Sequence, residues 1–481
     1  MAGALLTGGC GGPDPFARWS DPELAGVARR AVEPGPYDAP HRGGASPAAS
    51  EPETGRANEP PGTGDMPERA GETWFVARAL SGSWAVRAAV AEVDRRRAAV
   101  DVARGLPDPS ASVTVGELAE TAAGRVDAMF AVRQAFPYPG TLGARGRVAE
   151  AAVETARRDL ARRIAGVRGD ARRAYGSYQE AAAARAVLAQ SEGLLGQIEA
   201  AVRSRVEVGE AGQDDLLRVS RRRLRVSNEI EQARQRQATA ASRLRELIDL
   251  HADAALPEPA DADWSRPVLD REEVVRRARN DSPSVRVAQG EVQRQRQRLE
   301  LARLERRPDF RVGAVYAPVA DSGLVGSANG EDQIAGTLGV TLPLWRGKYD
   351  AAEREAALGI GQAVAEVRGV QQSAVARAAE AVARLESQQA VLDRLRERML
   401  PEGRQTIEIA LAGYRTGRVD VLQMLADWRS LLDDRLAEAR VLADLHRARA
   451  DLAEVLGGPI RPGRRGVENG DPFTDGEAEH D

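Results

Sequence analysis

The sequence is poor in the residues on which most catalytic sites and compact domains depend. One cysteine, Cys10, stands among 481 residues, which excludes an internal disulfide framework and a cysteine-based metal cluster. Histidine and methionine are scarce, and His41, His251, His446 and His480 have no His partner at i+3 or i+4, so no metal relay is expected. Aromatics make up 4% of the chain, too few for several thick cores. No apolar run reaches the ~18 residues of a transmembrane helix. A membrane β-barrel stays open, because its short alternating segments barely register in hydropathy. The net charge is −4 and Arg is interleaved with Asp and Glu, so nucleic acid is not an expected partner. No phosphate loop, His-Glu-x-x-His, Gly-x-Ser-x-Gly or Gly-x-Gly-x-x-Gly constellation stands out. No cofactor, metal or enzymatic activity is expected.

What the chain does have is Ala, Arg, Glu, Gln and Leu, with 29% charged residues, a mixture that favours long solvated helices. Leu5-Leu6-Thr7-Gly8-Gly9-Cys10 resembles the end of a bacterial lipoprotein signal, which makes Cys10 a candidate for lipid attachment. Thr7 stands where Leu is usual, and the apolar run is shorter than the ~7–15 residues of a signal core. The competing reading is a lone cysteine in a disordered head. Residues 1–30 are taken as this signal-like remnant, 31–73 as a flexible linker and 459–481 as a disordered tail.

A duplication lies between them. Ser83-Trp84-Ala85-Val86-Arg87 matches Ser282-Pro283-Ser284-Val285-Arg286, an offset of 199, and the match continues through Pro109 and Pro308 to Val113 and Val312. Later the offset drifts to 205: Asp215 meets Asp420, and Leu247 meets Leu452. Residues 74–254 and 271–458 are therefore read as two copies of one unit, joined by a linker at 255–270.

Each copy opens with a helix, Val86 to Ala103 or Val285 to Leu304, that stops near Pro107 or Pro308 because proline cannot continue the turn. Two alternating segments follow. Ala111, Val113 and Val115 share one parity, as do Ala128, Phe130, Val132 and Phe136, a set interrupted by Gln134. In copy two the corresponding sets are Phe310, Val312, Ala314 and Tyr316, then Ile334, Gly336, Leu338, Val340 and Leu342. Period-two alternation predicts strands with one apolar face. Each segment suits a tilted strand crossing a bilayer, and on pattern alone it equally suits a soluble hairpin with one buried face.

The strands hand the chain to long helices through proline-rich turns, with Pro137, Pro139 and Gly140 in copy one and Pro343 and Gly347 in copy two. From Leu142 to Val202 a helix of about 60 residues would span ~90 Å. Leu160, Ile164, Val167, Ala171, Ala174 and Tyr178 mark its coiled-coil seam. The copy-two helix runs from Tyr349 to Leu411, with a kink expected at Pro401. Turns at Gly209 and Gly212, and at Gly417, reverse the direction, and a second helix of ~35 residues returns in each copy. Four strands cannot close a pore, and an open sheet edge is not tolerated in lipid, so sister chains must complete the wall. Three chains would give twelve strands; geometry alone does not fix that number.

The order helix, strand, strand, proline turn, long helix, Gly-Asp-Leu tip and return helix, duplicated over about residues 74–458, resembles the TolC-type outer-membrane efflux proteins. The residues that carry the resemblance are Gln134-Ala135-Phe136-Pro137-Tyr138-Pro139-Gly140, Thr341-Leu342-Pro343-Leu344-Trp345-Arg346-Gly347-Lys348 and Tyr414-Arg415-Thr416-Gly417-Arg418-Val419-Asp420-Val421-Leu422. The resemblance implies a mainly α fold with a small β part. Long antiparallel helical hairpins would form a trimeric α-barrel, and four strands per chain would contribute to a 12-stranded transmembrane β-barrel with an internal two-fold repeat. It also implies a homotrimer set in outer-membrane lipid, a periplasmic adaptor at the tunnel tip and an inner-membrane pump. Carried over to the tips, Asp420 is the ring carboxylate of the periplasmic aperture, and Arg418 pairs with Asp215, with Asp214 nearby. Gln423 departs from the family pattern, where a second acidic residue is common. The plainer reading makes Asp420 and Asp215 helix N-caps after Gly turns. A periplasmic coiled-coil adaptor or a structural protein of an export complex is the alternative function.

Overall fold

The computed structural model describes residues 66–121, 124–260, 264–267, 269–320 and 330–458. Cys10, the linker up to residue 65 and the tail from 459 lie outside the described residues. The first half runs β1 (Arg69–Ala70), α1 (Glu72–Gly82), α2 (Trp84–Arg104), β2 (Ser110–Thr121), β3 (Gly124–Phe136), α3 (Thr141–Glu207) and α4 (Gln213–Leu247). The second runs β4 (Glu258–Pro259), α5 (Arg271–Asp281), α6 (Pro283–Leu304), β5 (Asp309–Ala317), β6 (Val319–Ala320) and β7 (Gln333–Thr341). It continues with α7 (Arg346–Arg394), a π-helical turn (Leu395–Met399), α8 (Leu400–Arg415) and α9 (Val421–Leu456). The expected long helices, strands and return helices are all present. Among the described residues no helix is long and apolar enough to cross a membrane.

Two short helices were not anticipated. α1 and α5 each have 11 residues and precede the helices that the sequence reading placed first. Only Ser83 and Ser282 separate them from α2 and α6, so a single extended residue hides each break from periodicity. The Asp270 carboxylate caps α5, accepting from the backbone N–H of Glu272 at 2.9 Å and of Glu273 at 3.2 Å. The segment read as the inter-repeat linker holds β4 and Trp264. Its β4 pairs in parallel with β1, and Trp264 is buried, its Nε1–H donating to Gln389.

The chain divides into two compact units. One comprises residues Trp84–Arg163 and Pro283–Ser373 and contains the main sheet. The strand order is β2-β3-β5-β7, every pair antiparallel, with the two-residue β6 beside β3. β2 and β7 are edges with one partner each, so each leaves one side of its backbone unpaired.

The other unit comprises the described residues up to Ser83, then Ile164–Ser282 and those from Ala374. There α3, α4, α8 and α9 share a core of Leu195, Ile198, Val202, Val219, Val226, Ile407, Tyr414, Met424, Trp428 and Leu432. Heptad-like spacing within this set, as in Val219–Val226 and Ile407–Tyr414, is what makes the seam narrow. Trp428 is fully buried and its Nε1–H donates to the Ser191 carbonyl at 3.3 Å, joining α9 to α3. The seam read on α3 is confirmed at Leu160, Ile164, Ala171, Ala174 and Tyr178, all buried, with Val167 half-buried. Phe75 of α1 is buried against Tyr175 and Tyr178, with ring centroids 5.2 and 6.4 Å away.

At Pro401 the expected kink takes the form of the π turn just before it. Proline offers no N–H and its ring crowds the preceding turn. Widening the ladder, so that the Leu400 N–H reaches the Leu395 carbonyl, accommodates it without ending the helix.

Candidate functional site

The sheet carries the first candidate surface. Its register places Val113, Phe130, Tyr316 and Ile334 in one row across all four strands. The next rows on the same face are Ala111, Val132, Ala314 and Gly336, then Gln134, Val312 and Leu338, then Phe136, Phe310 and Val340. This face is apolar apart from Gln134, and it is bare: Leu338 is 87% exposed, Ile334 81% and Val115 77%. A soluble hairpin would bury such a face; within this protomer it stays uncovered. Gln134 lies near the helix-proximal end, where its amide donates to the Pro107 carbonyl at 2.7 Å. The opposite face is mixed, with Ser112, Thr114, Arg133, Arg311 and Thr337 among Met129, Ala131, Gly313, Val315 and Ala335.

The turns out of the sheet lie where the sequence placed them. Pro137, Pro139 and Gly140 connect β3 to α3, with Gly140 at φ +94 and its carbonyl accepting from Ala144 at 2.9 Å. Pro343 lies between β7 and α7, whereas Gly347 is already inside the first turn of α7.

The two hairpin tips form the second surface. Gly209 (φ +79) and Gly417 (φ +75) adopt the left-handed conformation that reverses each hairpin. Gly212 does not: at φ −80 it is the N-cap of α4, without a side-chain cap. Asp420 is an N-cap, its carboxylate accepting from the Leu422 N–H at 3.3 Å. Asp215 is not; it is the third residue of α4, one after Asp214, where its charge favours the positive helix end. Burial, then the neighbouring Asp214 and Asp420 carboxylates, push the Asp215 carboxyl above its ordinary pKa, against the pull of Arg218 and Arg205. Asp214 pairs with Arg218 at 3.6 Å.

The basic group set into the tips is Arg205, not Arg418. Arg205 donates to the Tyr414 carbonyl at 2.8 Å, pairs with Glu210 at 3.4 Å, and lies 5.0 Å from the centre of the Tyr414 ring. Among the described residues Arg418 forms no ion pair, so the expected link to Asp215 is not made within one protomer. Tyr414 is buried with its hydroxyl unpartnered, and burial followed by Asp215 raises its pKa. The sequence reading missed the roles of Arg205 and Tyr414. The signal for Tyr414 was its place seven residues after Ile407 on the buried stripe.

This fold, a four-stranded antiparallel sheet with two long helical hairpins, is similar to that of several solved outer-membrane channels. The chain matches the solved outer-membrane channel OprN with a TM-score of 0.68 at 20% identity, over 81% of this chain and 90% of that one. It matches the outer membrane protein VceC from Vibrio cholerae at 0.66 and 17%, over 81% of this chain and 97% of that one. The open-state outer membrane channel MtrE of Neisseria gonorrhoeae matches at 0.65 and 19%, over 81% and 90%. No curated protein matches by sequence. Residues 274–458 match the outer membrane efflux protein family model.

Proposed function

We propose that the chain is the outer-membrane channel of a tripartite efflux system, a passive duct that carries small molecules or ions from periplasm to exterior. The observation that carries this reading is the bare apolar sheet face bounded by two unpaired edges. Lipid matches the face; water does not. Neither edge tolerates hydrocarbon, so β2 of one copy must pair with β7 of the next. Three copies close twelve strands around a bore lined by Ser112, Thr114, Arg133 and Thr337. The internal repeat gives each copy two hairpins, so six surround a periplasmic tunnel. Its tips carry Asp215 and Asp420 to the aperture and dock on a periplasmic adaptor bound to an inner-membrane pump. Arg418, unpaired within the protomer, is placed to link neighbouring copies when the aperture is closed. A periplasmic adaptor, the alternative, has no use for a bare apolar sheet. Cys10 is the proposed acylation site.

Conductance of the purified chain in planar bilayers, read together with its oligomer mass, is the direct test. A stable trimer with discrete conductance steps is expected. A soluble monomer that never conducts overturns the proposal.

A further inference from the structure

Below the apolar face, at the helix-proximal end of the sheet, the chain gathers aromatic and basic side chains. The last apolar row is Phe136, Phe310 and Val340, followed by Leu342. Beyond it comes Trp345, 80% exposed, in the turn between β7 and α7. The same end holds Tyr138, whose N–H donates to Asp309 at 2.9 Å while the Arg307 guanidinium lies 5.9 Å from its ring centre. Asp309 stands opposite Thr341, which ties this group to the Leu342–Lys348 turn.

The charges around these rings are not balanced. Arg306 is neutralised by Asp350 at 3.3 Å and Glu353 at 3.2 Å, and Arg303 by Glu353 and Glu300. Arg307, Arg346 and Lys348 have no carboxylate partner among the described residues, and Arg145 and Arg147 in the first turns of α3 have none either. Asp108, Glu305 and Asp309 are the local carboxylates without an ion pair, three against those five cations. The rim therefore keeps a positive excess beside exposed Trp345, Phe136 and Phe310 and half-buried Tyr138. Trp and Tyr seek the level of lipid headgroups, and Arg or Lys near an anionic surface is attracted to it.

We propose that this rim is a binding site for anionic glycerophospholipids, with Trp345 and Tyr138 at the headgroup level and Arg307, Arg346 and Lys348 on the phosphodiester. The inference rests on the sheet face lying in lipid. It adds the chemistry of the headgroup: a net negative phospholipid such as phosphatidylglycerol is favoured over zwitterionic phosphatidylcholine. One phosphate diester meets a fork of guanidinium donors from Arg307 or Arg346 and the point charge of Lys348.

Lys348 is the only lysine in the sequence, which gives a clean readout. Acylation of its amine by an N-hydroxysuccinimide ester is followed by peptide mass in the full-length chain, held in neutral detergent micelles doped with defined lipid. Phosphatidylglycerol is expected to slow the reaction at Lys348 at least threefold, while equimolar phosphatidylcholine leaves it unchanged. In R346Q, an exposed substitution, most of that protection should disappear; circular dichroism confirms that the variant is folded. In a second readout, native mass spectra of the wild type should retain phosphatidylglycerol adducts that R346Q loses. Equal labelling with both lipids overturns the proposal, as does protection by inorganic phosphate alone. A chain that conducts in bilayers yet shows no preference for phosphatidylglycerol refutes this inference and leaves the channel reading intact.

Discussion

Phe130 of β3 stands directly opposite Tyr316 of β5, their ring centroids 6.2 Å apart, and both side chains face outward. The two residues come from different halves of the chain and meet in the middle of one sheet. The pair makes the two halves one apolar surface. It also sets the depth of that surface, because Val113 and Ile334 complete the row.

Placing a charge in that row tests the lipid-facing assignment. Val113→Arg should cost about 2–4 kcal/mol of membrane-inserted stability, as Arg does near a bilayer midplane. Thr114→Arg, one residue along on the opposite face, should insert nearly as well as the wild type. Folded fraction in phospholipid vesicles, read by gel mobility with and without heating, compares the two. The reverse ranking would falsify the face assignment.

At Asp420 the observed cap is to be separated from the proposed aperture charge. Asp420→Asn keeps a side-chain oxygen for the Leu422 N–H and removes the charge; Asp420→Ala removes both. The alanine variant should lose about 1 kcal/mol of stability and the asparagine variant little. Both should reduce cation preference in bilayer reversal potentials if the carboxylate lines the mouth. Unchanged selectivity in both leaves Asp420 a cap alone.

Asp215 and His446 predict opposite responses to acid. The raised carboxyl of Asp215 holds its proton more tightly when folded, so the tip gains stability as pH falls through that raised pKa. Asp215→Asn should stabilise the fold at neutral pH, by no more than about 1 kcal/mol, and lose the acid gain. His446 is the reverse case. Burial lowers its pKa, although Glu72, 3.8 Å away, pulls it back. Its neutral form is what the fold accommodates, so its stabilisation is complete above the unfolded value of about 6.5 and is lost as pH drops below it. Thermal midpoints at pH 7.5 and 5.5 should differ less in His446→Gln than in the wild type. An unaltered difference would remove His446 from the account.

Trp428 anchors the hairpin core, so Trp428→Ala should cost about 3–5 kcal/mol, and protease should cut first near the tips. Trp428→Phe preserves most of the packing and loses the bond to the Ser191 carbonyl, worth roughly 0.5–1.5 kcal/mol. Denaturant midpoints that failed to rank alanine below phenylalanine would show that packing is not what holds the tips.

Much of this was legible because alternation and heptad spacing are local. The apolar parity of Ala111 to Val115 and of Ile334 to Leu342 needed no partner to be seen. What parity could not reveal was whether that face was covered, since burial depends on the whole fold. α1 and α5 escaped because one serine interrupts each helix without changing its periodicity. Trp264 looked like part of a linker because its partners, Gln389 and His446, are far away in sequence. The tips show the same limit. Asp215 and Asp420 were chosen by position after a glycine turn, but Arg205 enters only because the end of α3 reaches Tyr414 across the bundle.

The π turn at Leu395–Met399 has a further implication for the second hairpin. It holds one residue more than regular α geometry would over the same rise, so every side chain beyond it is rotated by about 100°. Ile407, Ala410 and Tyr414 point inward only because of that extra residue. A one-residue deletion in the turn would make the ladder more regular while swinging Tyr414 away from Arg205. Here a local irregularity sets the azimuth of the whole tip.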